Sequence, residues 1–178
     1  MDAAGLERRS CILLLTSVLL APGDALAQSG ERLPTLGAAP AFTLTRETGA
    51  QITVSSLPSV LGDPTQFVQL FQNLIGNALK FRQSGVPPRV QVSAQANPDG
   101  WQFTVADNGI GMESQYLKQV FTIFQRLHSR QAYPGNGIGL SVCQKIVESH
   151  GGRIWLDSTP GEGTSIHFTL PDRPVIPA

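Results

Sequence analysis

The hexapeptide Asp107-Asn108-Gly109-Ile110-Gly111-Met112 places a carboxylate and two glycines at the end of the alternating run 101–106. A strand end can aim a side chain into a pocket instead of the core, and Gly109 and Gly111 permit backbone conformations or a close ligand approach that a Cβ would block. Taken alone, the motif reads equally as a solvated Asp-Asn-Gly turn. Asn73, Asn77 and Lys80 form a second group, because their spacing puts them on one line down a helix. Two carboxamides and an ammonium in a row are poor core material. They are either an ordinary solvated stripe or, beside a glycine-rich turn, a wall for a metal ion and phosphates. A carboxamide oxygen can coordinate magnesium, which keeps its waters and bridges phosphate oxygens, and Lys80 would act as a point charge on those phosphates. The third group is Gly135-Asn136-Gly137-Ile138-Gly139-Leu140, where glycines open a helix whose first backbone N–H groups suit an anion, phosphate above all. A lone Gly-x-Gly-x-Gly is a weak signal.

These groups need elements to hold them. Asp63 is expected to cap a helix running to about Phe81, with Pro64 at its first position and Gln66 completing a capping box. Phe67, Leu70, Phe71, Leu74, Ala78 and Leu79 recur three and four apart and predict its buried face. Residues 89–94 and 101–106 alternate on either side of Asn97-Pro98-Asp99-Gly100, which predicts a β-hairpin with a slightly long loop that ends on Asp107. Gln51 to Val54 reads as an edge strand and Phe42 to Thr45 as a short strand. Ser114 to Phe124 has helical spacing at Leu117, Val120, Phe121 and Phe124, with Glu113 in the first turn. Another helix opens at the third glycine group, presents Leu140, Val142, Cys143, Ile146 and Val147, and stops at Gly151-Gly152. Residues 153–157 and 164–170 form a second hairpin about Pro160-Gly161-Glu162-Gly163. His128, His150 and His167 lack metal-ligand spacing and are assigned to solvent or local hydrogen bonds.

Composition narrows the function classes. A chain that is 41% hydrophobic and 15% charged suits a globular core, and thirteen basic residues against thirteen acidic ones give no support to a nucleic-acid-binding patch. Cys11 and Cys143 have no metal-ligand spacing and no second pair, so neither a disulfide framework nor a zinc site is indicated, and Cys143 reads as a small core residue. Residues 1–27 resemble a secretory signal: Arg8 and Arg9 precede an apolar run from Cys11 to Leu20 too short to span a bilayer, and Ala25-Leu26-Ala27 fits a cleavage site. A buried helix is the competing reading. Residues 28–49 are rich in Gly, Pro, Ala and Ser and read as a linker or truncated module. Ala39-Pro40-Ala41-Phe42-Thr43-Leu44-Thr45 resembles the opening of exported thioredoxin-like redoxins, but the Cys-x-x-Cys they need is missing.

Together the weak signals become specific. Asn73-x-x-x-Asn77-x-x-Lys80, Asp107-x-Gly109-x-Gly111, Phe121-x-x-Phe124 and Gly135-x-Gly137-x-Gly139 occur in the order and rough spacing of the N, G1, F and G2 boxes. Residues 50–172 thereby resemble the ATP-binding catalytic domain of sensor histidine kinases, in the superfamily shared with gyrase, MutL and heat-shock chaperone ATPases. Residues 126–130 and 133–135 look like the short lid of phytochrome-type kinases; residues 173–178 are left as a tail. The resemblance implies a Bergerat-type fold, an α/β two-layer sandwich with a mixed, mostly antiparallel sheet and three helices on one face. It implies ATP and magnesium as ligands. Asp107 would accept the adenine amino group with Thr164 assisting through water, Asn77 would hold magnesium with Asn73 beside it, and Lys80 would meet phosphate. Gly109 and Gly111 would shape the adenine turn, and Gly135, Gly137 and Gly139 would let the lid close.

Where hydrolytic members of the superfamily carry a water-activating glutamate, this chain has Asn73. A carboxamide takes no proton at neutral pH, so the site is expected to align ATP for transfer instead of hydrolysing it. The phospho-accepting histidine of a complete kinase would precede this domain, and no His stands before position 128. The expected activity is therefore that of a catalytic fragment acting on a histidine-bearing dimerisation domain in trans, upstream of a response regulator. A non-catalytic nucleotide-binding or interaction module is the alternative, and a redoxin-like relic a third. An export signal conflicts with an ATP site, which belongs in the cytoplasm. The leader is then either a retained membrane anchor or a product of a different reading frame or fusion, and the change of composition near residue 50 favours the second.

Overall fold

A computed structural model of the chain describes residues 41–45, 49–117, 119–122 and 137–171. The signal-like leader, the lid-like segment with Gly135, Phe124, His128 and the tail lie outside the described residues. Strands β1 (Phe42–Thr45), β2 (Gln51–Val54), β3 (Arg89–Asn97), β4 (Gly100–Asp107), β5 (Ile154–Thr159) and β6 (Gly163–Pro171) form one sheet in the order β1-β2-β3-β4-β6-β5. Only β2 and β3 run parallel, because helix α1 (Pro64–Lys80) crosses over between them; every other pair is antiparallel. Helix α2 (Gly139–Ser149) leads into the β5–β6 hairpin. The sheet is mixed and mostly antiparallel with helices on one face, as expected, but among the described residues two α-helices cover it where three were expected.

Alternation decides which face is buried. Ile52, Val54, Val90, Val92, Phe103, Val105, Ile166, Phe168 and Leu170 point inward and are covered by Phe67, Leu70, Phe71 and Leu74 of α1 and by Cys143, Ile146 and Val147 of α2. At the centre Phe103 and Phe168 stack with centroids 5.0 Å apart, and Phe71 meets both edge-on at 6.3 and 5.8 Å. Such offset and edge contacts add to the area term of three large side chains withdrawn from water. The opposite face carries polar alternates instead, among them Thr104, Ser165 and His167, as a solvated antiparallel sheet should.

Four expectations change. The residues after Met112 give a 3₁₀ turn, Ser114–Tyr116, and hydrogen-bonded turns through Thr122 where an α-helix was expected. Its start has no side-chain cap, and the described apolar residues reach the core without a longer helix: Val120 is buried and Leu117 and Phe121 pack beside it. Strand β2 is an interior strand, because β1 pairs along its outer side from Thr45↔Gln51 to Phe42↔Val54. The β3–β4 connection is tighter than expected, with Asn97 and Gly100 already paired and the Asn97 carboxamide accepting from the Asp99 N–H at 3.1 Å. Finally, Asp63 caps α1 by accepting from the N–H groups of Thr65 and Gln66, but the reciprocal half of the box is replaced. The Asp63 N–H donates to His150 Nε2 at 3.1 Å, while Gln66 Nε2 donates to the Asp63 carboxylate. His150 Nδ1 lies 2.7 Å from the Ile146 carbonyl and its ring lies against Phe67, so it joins the start of α1 to the end of α2. That role needs two helices in contact, which no local pattern reveals.

Candidate functional site

Helix α1 supplies the first wall. Its buried face leaves Asn73, Asn77 and Lys80 half-buried along one side. The opening of α2 lies against this stripe. A Cβ added to Gly139 would come within 3.4 Å of Asn73 Oδ1 and 3.9 Å of Asn77 Nδ2. Glycine at this position thus leaves free the space next to both carboxamides. Lys80 Nζ sits 4.5 Å from the centroid of the Phe81 ring, where a cation meets the face of an aromatic ring.

The start of α2 has no side-chain cap. Ile138 stands at the N-cap position, and the Ser141 hydroxyl donates back to the Ile138 carbonyl at 2.8 Å without capping an N–H. The first N–H groups of a helix have no intrahelical acceptor, so α2 presents them beside the Asn73 carboxamide. Gly137, just before, has φ 70°, in the left-handed region that glycine tolerates. Cys143, one turn into α2, is fully buried and approaches both the Leu70 carbonyl and the Asn73 side chain; burial pushes its thiol up to about 12.

Strand β4 supplies the carboxylate. Asp107 ends the strand, with Val90 opposite on one side and Thr164 on the other. Its Oδ1 accepts from the Gly109 N–H at 2.7 Å and the Thr164 N–H at 3.2 Å, while no described residue donates to Oδ2. Burial raises the pKa of this carboxyl, and the two backbone donors pull the other way. Burial outweighs the two donors in this half-buried acid, and Oδ2 remains the acceptor atom that no described residue engages.

The turn after Asp107 is fastened on both sides. The Ile110 N–H donates to the Phe81 carbonyl at 2.9 Å, and the Gly161 N–H donates to the Ile110 carbonyl at 2.8 Å. Gly109 packs so closely on the Phe81 carbonyl that a Cβ would clash, and Gly111 combines φ 63° with a collision between any added Cβ and the Thr159 carbonyl. The glycines of this motif are demanded by the packing. Thr164 is buried, and its hydroxyl lies 2.8 Å from Ser158 Oγ, which also contacts the Gly163 carbonyl and accepts from the Met112 N–H.

Three supporting residues escaped sequence reasoning. Asn108 lies inside the motif, yet its side chain braces the turn from beneath, accepting from the Arg89 N–H and donating to the Pro87 carbonyl. Ser158 is the hub just described. Gln83 places Nε2 3.1, 3.0 and 2.8 Å from the carbonyls of Asn108, Gly109 and Gly161. No local pattern marks these roles, because each includes a bond to a residue distant in the chain.

The structure thus brings Gly139 to Asn73 and Asn77, and the turn after Asp107 to Phe81 at the C-cap of the same helix. Asn73 and Phe81 are about 12 Å apart along a helix. A nucleotide-sized ligand could span that distance, with an acceptor at one end and N–H donors, carboxamides and an ammonium toward the other. Among the described residues no cluster of His, Cys, Asp and Glu suited to a metal ion is present.

Comparison with known proteins assigns the chain a family. The model of the "Histidine kinase-, DNA gyrase B-, and HSP90-like ATPase" family matches residues 62–174. Cyanobacterial phytochrome A of Nostoc sp. is 52% identical over 125 residues, which is 70% of this chain and 16% of the phytochrome. The adaptive-response sensory kinase SasA of Prochlorococcus marinus is 43% identical over 119 residues, 66% of this chain and 32% of that protein. The chain therefore spans a minor part of the length of these relatives. Among solved structures, the mycobacterial sensor histidine kinase MprB superposes with TM-score 0.58 at 32% identity, covering 70% of this chain and 81% of that one. Full-length ShkA in complex with AMPPNP gives TM-score 0.61 at 28% identity, over 72% of this chain and 27% of its own.

Proposed function

This chain belongs to the histidine kinase-, DNA gyrase B- and HSP90-like ATPase family, and from that premise we propose that it binds ATP with magnesium and transfers the γ-phosphoryl group to a histidine supplied in trans. The observation that carries the proposal is Asp107: a desolvated carboxylate whose Oδ1 is fixed by two backbone N–H groups while Oδ2 is left for a donor such as the adenine amino group. A carboxylate there also repels the guanine carbonyl, so the preference for adenine has a repulsive element.

In this reading Gly109 and Gly111 shape the adenine turn, Thr164 supports Asp107, and Lys80 with the N–H groups following Gly137 and Gly139 meets the phosphates. Gly135, outside the described residues, completes the glycine series. The carboxamides of Asn73 and Asn77 fit magnesium, a hard oxygen-seeking ion held by few protein ligands, and the space beside Gly139 leaves them accessible. Asn77 would hold the ion with Asn73 beside it. When bound, magnesium supplies neutralising charge on the phosphates. Asn73 offers no base for water, which favours alignment for transfer over hydrolysis.

The partners in this reading are a histidine-bearing dimerisation domain and, beyond it, a response regulator. The test is a nucleotide titration of the chain with and without magnesium, followed by incubation with labelled ATP and a separately supplied dimerisation domain. Magnesium-dependent binding and label on histidine support the proposal. Binding without transfer would identify a nucleotide-binding module instead, and no binding would reject both.

A further inference from the structure

Gln83 lies beyond the end of α1, outside every glycine or asparagine motif, yet its amide reaches the carbonyls of Asn108, Gly109 and Gly161 at 3.1, 3.0 and 2.8 Å. The amide has two hydrogens for three acceptors, so at least one bond is shared. Two of the acceptors belong to the turn that follows Asp107, and the third to the β5–β6 turn. The Asn108 carbonyl and the Gly109 N–H are opposite ends of one planar peptide unit. Gln83 holds the oxygen end, and the nitrogen end donates to Asp107 Oδ1 at 2.7 Å. A side chain after the helix is thus linked through a single rigid peptide to the acid at the end of β4.

We infer that Gln83 is a positioning residue for Asp107: by fixing the Asn108–Gly109 peptide and tying it to Gly161, it keeps the carboxylate oriented with Oδ2 available to the ligand. The assignment of that ligand as the adenine of ATP rests on the proposed function; the positioning itself does not. The other ties of the turn would persist without Gln83: Asn108 to Arg89 and Pro87 through its N–H and side chain, Ile110 N–H to Phe81 in the peptide after Gly109, and Gly161 to the carbonyl of Ile110 in the peptide after that. They preserve the path of the chain but do not hold the peptide that faces Asp107. Burial raises the carboxyl's pKa and the Gly109 N–H opposes that rise, so loosening this peptide should let the pKa climb further.

The test is Gln83→Met in the full chain, which keeps an unbranched stem and removes both donors. In the nucleotide-free protein, hydrogen exchange at the Gly109 N–H should quicken about tenfold, and the Asp107 carboxyl carbon should titrate at a higher pH than in the wild type. ATP affinity should fall about five- to tenfold, as for one lost hydrogen bond. Unchanged Gly109 exchange and an unchanged Asp107 titration would overturn the inference, whatever happens to ATP. Conversely, if Asp107→Asn leaves ATP affinity intact while Gln83→Met still moves the Asp107 titration, the positioning role stands and the ATP reading fails. Should Gln83→Met not fold, the wild-type side-chain amide of Gln83 serves: slow exchange supports the inference, and exchange at the rate of a free glutamine overturns it.

Discussion

Asp107 and Thr164 stand opposite each other on neighbouring antiparallel strands, and the Thr164 N–H donates to Asp107 Oδ1 at 3.2 Å. That donor and the Gly109 N–H both use the one oxygen that asparagine also possesses. Asp107→Asn can therefore keep both backbone bonds while removing a desolvated charge. The expected outcome is a protein no less stable than the wild type at neutral pH, with nucleotide affinity reduced on the order of 10- to 100-fold. The pH dependence has a definite sign. Because the folded carboxyl holds its proton to higher pH than the unfolded one, the folded state binds more protons between the two values, and stability from this group falls as pH rises through that window. Denaturant melts across the acidic range should show this component in the wild type and lack it in Asp107→Asn.

Gly139→Ala separates the helix from the site. Gly139 is the first residue of α2, where alanine gains at most the ~1 kcal/mol it has over glycine in a helix interior, and the added methyl would sit 3.4 Å from Asn73 Oδ1, a tolerable contact. Thermal stability should hold or rise slightly. The methyl would occupy the space beside the two carboxamides, so magnesium-dependent nucleotide affinity should drop, and calorimetric titration with and without magnesium would show the loss confined to the first condition.

Gly111→Ala should do the reverse. Its φ of 63° is unfavourable for alanine, and the Cβ would run into the Thr159 carbonyl, which the β5–β6 hairpin holds in place. A loss of about 1–3 kcal/mol from strain and displaced backbone is expected, measured by urea unfolding. A variant as stable as the wild type would mean that the turn relaxes more easily than its packing indicates.

Cys143 offers a probe of opening. With the thiol pushed up to about 12 by burial, the reactive thiolate is scarcer by about a thousandfold than for an ordinary cysteine at neutral pH. An alkylating reagent should leave Cys143 unmodified in the folded protein and label it at the rate of unfolding once denaturant is added, as followed by mass spectrometry.

Much of the fold was legible because its signals are local. The alternation of Val90, Val92, Phe103 and Val105 marks one sheet face, Asp63-Pro64 starts a helix, and the spacing from Phe67 to Ala78 marks the side it buries. The expected helix after Ser114 was not found, because Leu117, Val120 and Phe121 supply apolar spacing without a cap. Pattern alone cannot distinguish a helix from a turn that packs the same side chains.

The candidate site divides along the same line. Residue type and order by themselves determined which atoms are available: an acid followed by glycines, two carboxamides and an ammonium on one stripe, and a glycine-opened helix. Only tertiary structure decided that Gly139 comes to rest against Asn73 and Asn77, that Thr164 faces Asp107, and that His150 completes the cap of a helix far from it in sequence. The physical reason is range. Helix and strand preferences act over a few residues and leave a periodic trace, whereas a hydrogen bond such as that from Gln83 to Gly161 depends on where the packed sheet and helices place two distant backbones.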